Sequence, residues 1–136
     1  MSQTCVFCRI IQRQLPAYII QEDEQVIVFL SKNNHPLVVP KKHLPDIYQL
    51  DDLIAAHIMQ TTVQIARAVK TGLRCEGVYL TQANEAAAGQ DVFHFHLHVY
   101  PCWSYLTLAQ QQATKVVADE ARQESLQKIQ MGLQHN

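Results

Sequence analysis

The pattern of apolar and polar residues along the chain predicts several strands, one long helix and then two more strands. Short runs of β-branched and aromatic residues between turn residues are typical of strands. Five such runs cover residues 17–23, 25–31, 35–40, 77–84 and 91–101. Pro36 and Pro40 bracket the third run, which predicts either an edge strand or a strand with limited pairing.

The strongest helical signal covers residues 50–73. Asp51 or Asp52 can cap its start, Gly72 is a suitable stop, and apolar residues recur at helical spacing between them. The order of elements predicts an α+β domain with a mainly antiparallel, five-stranded sheet. The apolar stripe of the helix consists of Ile54, Ala55, Ile58, Ile65, Ala66 and Val69.

Weaker helical patterns lie at the two ends of the chain. Residues 5–14 predict a short helix that ends near Leu15 and Pro16. Residues 106–136 predict a C-terminal helical extension that follows a domain of residues 1–105. The extension is rich in Gln and charge and its apolar residues are sparse, so it either packs on a partner or frays. Those residues are Leu108, Val116, Val117, Leu126, Ile129 and Met131.

Length and charge narrow the class of protein. A chain of 136 residues is one ordinary globular domain. Its net charge of −1 favours neither a nucleic-acid binder nor a membrane-surface binder. No segment approaches the roughly 20 apolar residues that span a bilayer, and no export signal is recognisable. We therefore expect a cytoplasmic protein whose four cysteines are reduced.

Three histidines, His94, His96 and His98, occupy every second position of one predicted strand. On a strand they would share one face, with neighbours about 6 to 7 Å apart. A lone histidine is usually a surface or satisfied core residue. Three in alternation favour a functional site, because imidazole is both a common general acid or base and the commonest metal ligand.

A second chemical feature is the pair Cys5 and Cys8, which is a redox pair, half of a zinc site or chance. The redox interpretation requires a preceding strand in a thioredoxin-like unit, which is missing here. A closed zinc site requires two more ligands. His43 and His94 are candidates, although spacing alone does not bring them together.

Three blocks in this order resemble the histidine triad (HIT) superfamily of nucleotide hydrolases and transferases. They are "CVFCRIIQRQLPAYIIQEDEQVIVFL", "HPLVVPKKHLPDI" and "NEAAAGQDVFHFHLHVYP", and the resemblance spans about residues 3 to 102. It implies a HIT-like fold and hydrolysis at the α-phosphorus of a nucleoside phosphoramidate or dinucleoside polyphosphate. The product would be a nucleoside monophosphate.

The resemblance also implies roles for single residues. His96 would attack the α-phosphorus and form a covalent nucleotidyl-histidine, which splits one hard displacement into two easier ones. His35 would be a fourth histidine of the site. The catalytic residues would be His35, Gln90, His96 and His98. The residues that bind the nucleotide would be Phe29, Asn84, Gln90 and His98.

Zinc-containing bacterial members of the superfamily imply a structural zinc ion on Cys5, Cys8, His43 and His94. The resemblance further implies a nucleotide substrate, expected to be a purine nucleotide, and a homodimer formed through the long helix. The sequence adds a hint of the dimer, because that helix has apolar residues beside its main stripe. They are Leu53, Ala56, Met59 and Val63.

The chain departs from the superfamily pattern in the segment between Phe29 and His35, which is short. The carboxylate that often binds the ribose hydroxyls has no counterpart near Ser31. Two other functions stay open at this point: a hydrolase in which all three triad histidines bind one zinc ion, and a nucleotide-binding protein without activity.

Overall fold

The computed structural model describes residues 4–112 and 114–135. Within them, five strands form one antiparallel sheet in the order β1-β2-β3-β5-β4, which confirms the α+β prediction. The strands are β1 (Ile19–Glu22), β2 (Val26–Leu30), β3 (Pro36–Pro40), β4 (Gly77–Thr81) and β5 (Leu97–Cys102). The helices are α1 (Val6–Ile11), α2 (Asp52–Gly72), α3 (Leu108–Gln111) and α4 (Asp119–Gln134), with short 3₁₀ turns at Ile47–Gln49 and Ala86–Ala88.

The long helix α2 forms where the sequence predicts it. The Asp51 side chain caps its start and accepts a hydrogen bond from the Ile54 backbone at 2.8 Å. Ile58, Ile65 and Val69 of the predicted stripe are buried against the sheet, whereas Ala55 is exposed. Helix α1 is shorter than predicted and is followed by turns rather than by a further helical turn.

Strand β3 lies in the middle of the sheet, so the prediction of an edge position is wrong and that of limited pairing is confirmed. All five of its residues pair with β2, but only Leu37 and Val38 pair with β5. Proline lacks the backbone N–H that a second ladder requires, so Pro36 and Pro40 limit pairing at both ends of β3.

The two faces of the sheet have different covers. One face packs against α2 and α4 and contributes Val28, Val38 and Val99 to the larger core. The opposite face carries Phe29 and Leu37 and is only partly covered, by α1. The partly covered face is therefore where a ligand can approach the sheet.

The C-terminal extension forms α3 and α4 with a break between them, and α4 packs against α2. A Cβ atom at Gly132 would lie 2.4 Å from the Ala68 carbonyl oxygen, and one at Gly72 would lie 2.2 Å from that of Lys128. The two glycines thus allow the helices to cross closely, and Ile129 is fully buried at the crossing. The extension therefore packs on its own chain; a domain boundary at residue 105 stays a prediction.

No helix in the described ranges is both long and apolar enough to cross a lipid bilayer.

Candidate functional site

The histidine run is only partly a strand, which corrects the prediction for residues 91–101. Strand β5 begins at Leu97, and residues 92–94 form a bend. Strand β3 ends at Pro40, which has no N–H to donate. The Pro40 carbonyl accepts a hydrogen bond from the His94 ring at 2.7 Å. His94 and His96 therefore precede the regular strand, while His98 lies on it beside Leu37.

His94 points into a cluster with Cys5, Cys8 and His43. Its Nδ1 lies 3.5 Å from each cysteine Sγ and 3.2 Å from His43 Nδ1. Nε2 of His94 donates to the Pro40 carbonyl, so Nδ1 carries the lone pair in the neutral ring. Burial lowers the pKa of His94 to about 4, which favours that neutral ring.

The cluster has the composition and size of a closed metal site. One ligand atom from each of the four residues lies within 4.8 Å of all the others. Bonds of about 2.0 to 2.3 Å in a tetrahedron place ligand atoms at similar separations. A metal-bound histidine usually donates its other ring N–H to a carboxylate, a backbone carbonyl or water, as His94 does here to the Pro40 carbonyl. These four residues can therefore hold a metal ion.

His96 is held with one ring nitrogen available for chemistry. Its Nδ1 donates to the His94 carbonyl at 2.8 Å, so Nε2 is the unprotonated nitrogen of the neutral ring. Burial lowers the pKa of His96, which favours the neutral form. Nε2 lies 3.7 Å from the Asp91 carboxylate, and the ring packs edge-on against Phe7.

His35 and His98 form a hydrogen-bonded pair next to His96. His35 Nε2 lies 2.8 Å from His98 Nδ1, and the Ser31 hydroxyl lies 2.9 Å from His35 Nδ1. Burial and the neighbouring His98 lower the pKa of His35 to about 3, and burial also lowers that of His98 to about 4. Both rings are therefore neutral near pH 7, and the Ser31-His35-His98 chain can donate or accept hydrogen bonds without carrying charge.

These rings open into a cleft of about 540 Å³ on the partly covered face of the sheet, which we call the histidine cleft. Apolar side chains and the histidines line it together. Asp91 is the single carboxylate among the described residues that line it. The lining includes the predicted residues Phe29, His35, His96 and His98, and also Phe7, Ile10, Ser31, Lys32 and Arg122.

Gln90 and Asn84 do not line the histidine cleft. The Gln90 side chain is buried and bonded to backbone: it accepts from Glu85 N at 2.6 Å and donates to the carbonyl of Pro45 at 2.6 Å. Asn84 accepts from Ile47 N at 2.7 Å. Both amides thus brace the loop before the triad, and their predicted contact with phosphate stays a prediction.

Gly89 belongs to the same loop and has φ of +94°. Residues other than glycine rarely adopt this left-handed backbone conformation, so the loop requires glycine here. After this turn, Gln90 bonds to the backbone of Glu85, and Asp91 lines the cleft.

The lining residues that escaped prediction from sequence include Phe7, Lys32 and Arg122. Phe7 lies between Cys5 and Cys8, and this motif indicates a function for its cysteines and none for the residues between them. Lys32 and Arg122 are ordinary surface charges by sequence pattern. Only the fold brings them to the cleft, because they lie about 90 positions apart in the chain.

Comparisons with known proteins agree with this geometry. The HIT domain model matches residues 12–103. A Bacillus subtilis protein, "Protein hit", is 35% identical over 104 residues, which are 74% of this chain and 72% of that protein. The adenylylsulfatase HINT3 of Arabidopsis thaliana is 30% identical over 105 residues, covering 74% of this chain and 53% of the relative.

The solved structures include a close match in fold. The zinc-bound histidine triad family protein of Mycobacterium smegmatis superposes with a TM-score of 0.87 at 32% identity, covering 99% of this chain and 96% of that one. That match includes the C-terminal helices, which lie beyond the residues that the domain model matches.

Proposed function

Because this chain belongs to the histidine triad (HIT) family, we propose that it is a nucleotide hydrolase that acts through a covalent nucleotidyl-histidine. The substrate is a nucleotide with an amine, phosphate or other leaving group on its α-phosphorus, such as a nucleoside phosphoramidate or a dinucleoside polyphosphate. The product is a nucleoside monophosphate.

The hydrogen bond from His96 Nδ1 to the His94 carbonyl is the observation that carries the proposal. It leaves an unprotonated Nε2 in the histidine cleft. This nitrogen attacks the α-phosphorus, a P–N bond forms, and the bond to the leaving group breaks. Water then attacks the same phosphorus, the P–N bond breaks, and the nucleoside monophosphate leaves. His98 and His35 lie next to the reacting atoms and can donate hydrogen bonds to the phosphoryl oxygens or to the leaving group.

A zinc hydrolase with all three triad histidines on one metal fits this geometry poorly. His94 Nδ1 faces the two cysteines, whereas His96 and His98 face the cleft. The family's zinc would instead lie on Cys5, Cys8, His43 and His94. With four protein ligands such an ion has no open position for water, so its contribution would be to stability.

A panel of substrates tests the proposed activity. Adenosine phosphoramidate, diadenosine tetraphosphate and adenylyl sulfate each have an adenylyl group on a different leaving group. We expect release of AMP from at least one of them, with guanosine analogues as the test of base preference. A protein that binds AMP but releases it from no member of the panel would be a nucleotide-binding protein without this activity.

We also propose a homodimer that buries the outer face of α2. Leu53, Met59 and Val63 are 80%, 50% and 41% exposed in the single chain, and Ala56 beside them is exposed. The edge strand β4 is unpaired on its outer side within the described residues and adds the exposed Leu80. Several exposed apolar side chains on one helix face are typical of an interface, and a two-fold axis would pair that face with itself.

Light scattering at micromolar concentration is expected to give twice the chain mass. Val63→Glu is expected to yield monomers or unfolded protein, because an unpaired carboxylate in an apolar interface is strongly unfavourable. Val116→Glu is the matched control: Val116 is 69% exposed and lies outside α2, so this variant should keep the wild-type mass. A monomeric wild-type protein would contradict the dimer.

A further inference from the structure

Arg122 brings the C-terminal helix α4 into the histidine cleft. It lies outside residues 12–103, which match the family model, yet it lines the same cleft as His96. Its Cζ lies 4.5 Å from the centroid of the Tyr18 ring, and Nη2 lies 3.5 Å from the Leu30 carbonyl oxygen. The ring and the carbonyl thus hold the guanidinium at the wall of the cleft.

The chain pairs this guanidinium only weakly. Nε of Arg122 is buried and has no hydrogen-bond partner among the described residues. The carboxylate nearest in sequence, Asp119, lies 3.7 Å from Nη1, but its side chain is 78% exposed. An ion pair of this length at the surface is weak. Arg122 therefore presents a poorly compensated positive charge to the cleft.

Lys32 adds a second positive charge to the lining of the same cleft. Its side chain forms no ion pair within the described part of the chain. Two hydrogen bonds tie its loop to the segment before α4: Val117 N donates to the Lys32 carbonyl at 2.9 Å, and Asn33 Nδ2 donates to the Lys115 carbonyl at 2.9 Å. The loop and the C-terminal extension thus carry the two charges together.

Both charges belong to the lining of the cleft, together with Ser31 and His96. Ser31 precedes Lys32 in the chain and contacts His35 at 2.9 Å, and His35 contacts His98 at 2.8 Å. The centroid of the His98 ring lies 4.9 Å from that of the His96 ring. A nucleotide with its α-phosphorus at His96 carries its ribose a few bonds from that atom, within reach of Ser31 and Lys32.

In dinucleotide-binding folds a carboxylate binds the free ribose hydroxyl, whereas an arginine accommodates a phosphate on the ribose 2′ oxygen. The single described carboxylate of the cleft, Asp91, lies 3.7 Å from His96 and so lies beside the reacting atoms. The ribose region has Lys32 and Arg122 instead. Arginine also forms the stronger, often bidentate, hydrogen bonds to phosphate.

We propose that Arg122 and Lys32 bind a phosphate group on the ribose, and that the substrates of this site are nucleotides phosphorylated at the 2′ or 3′ hydroxyl. This inference rests on the proposed function and names its substrate class. It also assigns a role to the C-terminal extension, which supplies Arg122 and fixes the loop of Lys32.

Calorimetric titration of the full chain with AMP, adenosine 2′,5′-bisphosphate and adenosine 3′,5′-bisphosphate tests the inference. We expect one bisphosphate to bind roughly tenfold to a hundredfold more tightly than AMP, since a hydrogen bond to a charged group contributes on that scale. Arg122→Gln should lose most of this preference, and Arg122→Lys should keep part of it. Lys128→Gln removes a charge from the same helix outside the cleft and should keep it all.

Equal affinity for AMP and both bisphosphates would overturn the inference, as would a preference that Arg122→Gln leaves intact. If Arg122→Gln fails to fold, as judged by circular dichroism, Lys32→Gln provides the same test from an exposed position. The proposed hydrolase fails in a different way: no member of the substrate panel would be turned over, whether or not the three nucleotides bind.

Discussion

Replacing His96 with alanine is expected to lower turnover at least about a hundredfold while the protein stays folded and binds nucleotide. The substitution removes the nucleophilic Nε2, and loss of general acid or base assistance alone typically costs roughly 10² to 10⁴-fold. Steady-state release of nucleoside monophosphate measures the effect. In the wild-type protein, rapid acid quenching followed by mass spectrometry should detect a nucleotidyl group on His96.

His57→Ala is the matched control for this experiment. His57 lies on α2 and pairs with Asp23 at 2.6 Å, outside the described lining of the cleft. It should keep wild-type turnover. A His96→Ala protein that retained more than about a hundredth of wild-type activity would refute covalent catalysis through this residue.

Removal of zinc is expected to destabilise the protein more than it changes the chemistry of the folded enzyme. One zinc ion per chain should copurify on the four-residue cluster of Cys5, Cys8, His43 and His94. Chelation should lower the melting temperature by roughly 10 °C or more, because a bound structural metal contributes several kcal/mol to folding. Metal readdition should restore it.

Cys8→Ser should lose the metal and the stability together, and Cys5→Ser should also lose the metal. Cys102→Ser is the control, since Cys102 lies outside the cluster and its thiol donates to the Tyr100 carbonyl. A metal-free protein with an unchanged melting temperature would contradict the structural role. Retention of zinc by Cys5→Ser would instead favour a site made of the triad histidines.

The sequence determined the kinds of elements and the candidate residues of the site. Helix α2 follows from its periodic apolar stripe and from the cap at Asp51, which are properties of neighbouring residues. The alternation of His96 and His98 with apolar residues likewise indicated which side chains share a face of the sheet. The zinc ligands came from the family resemblance, and the structure brings those four residues together.

Strand pairing and the ends of strands depended on tertiary structure. The two prolines of β3 allowed either an edge strand or a central strand with short pairing, and the sheet order decided between them. The bend before Leu97 arises because the Pro40 carbonyl binds the His94 ring instead of continuing a ladder. A local pattern of alternating residues contains no information about that competing partner.

Contacts between distant residues also depended on tertiary structure. Gln90 is bonded to the backbone of Glu85 and Pro45, although its motif predicted a phosphate contact. Arg122 reaches the cleft because α4 packs on the body of the domain, where Gly72 and Gly132 allow it to cross close to α2. Local sequence determines periodicity and caps because these depend on neighbouring residues, whereas the partner of a buried polar group depends on how distant segments pack.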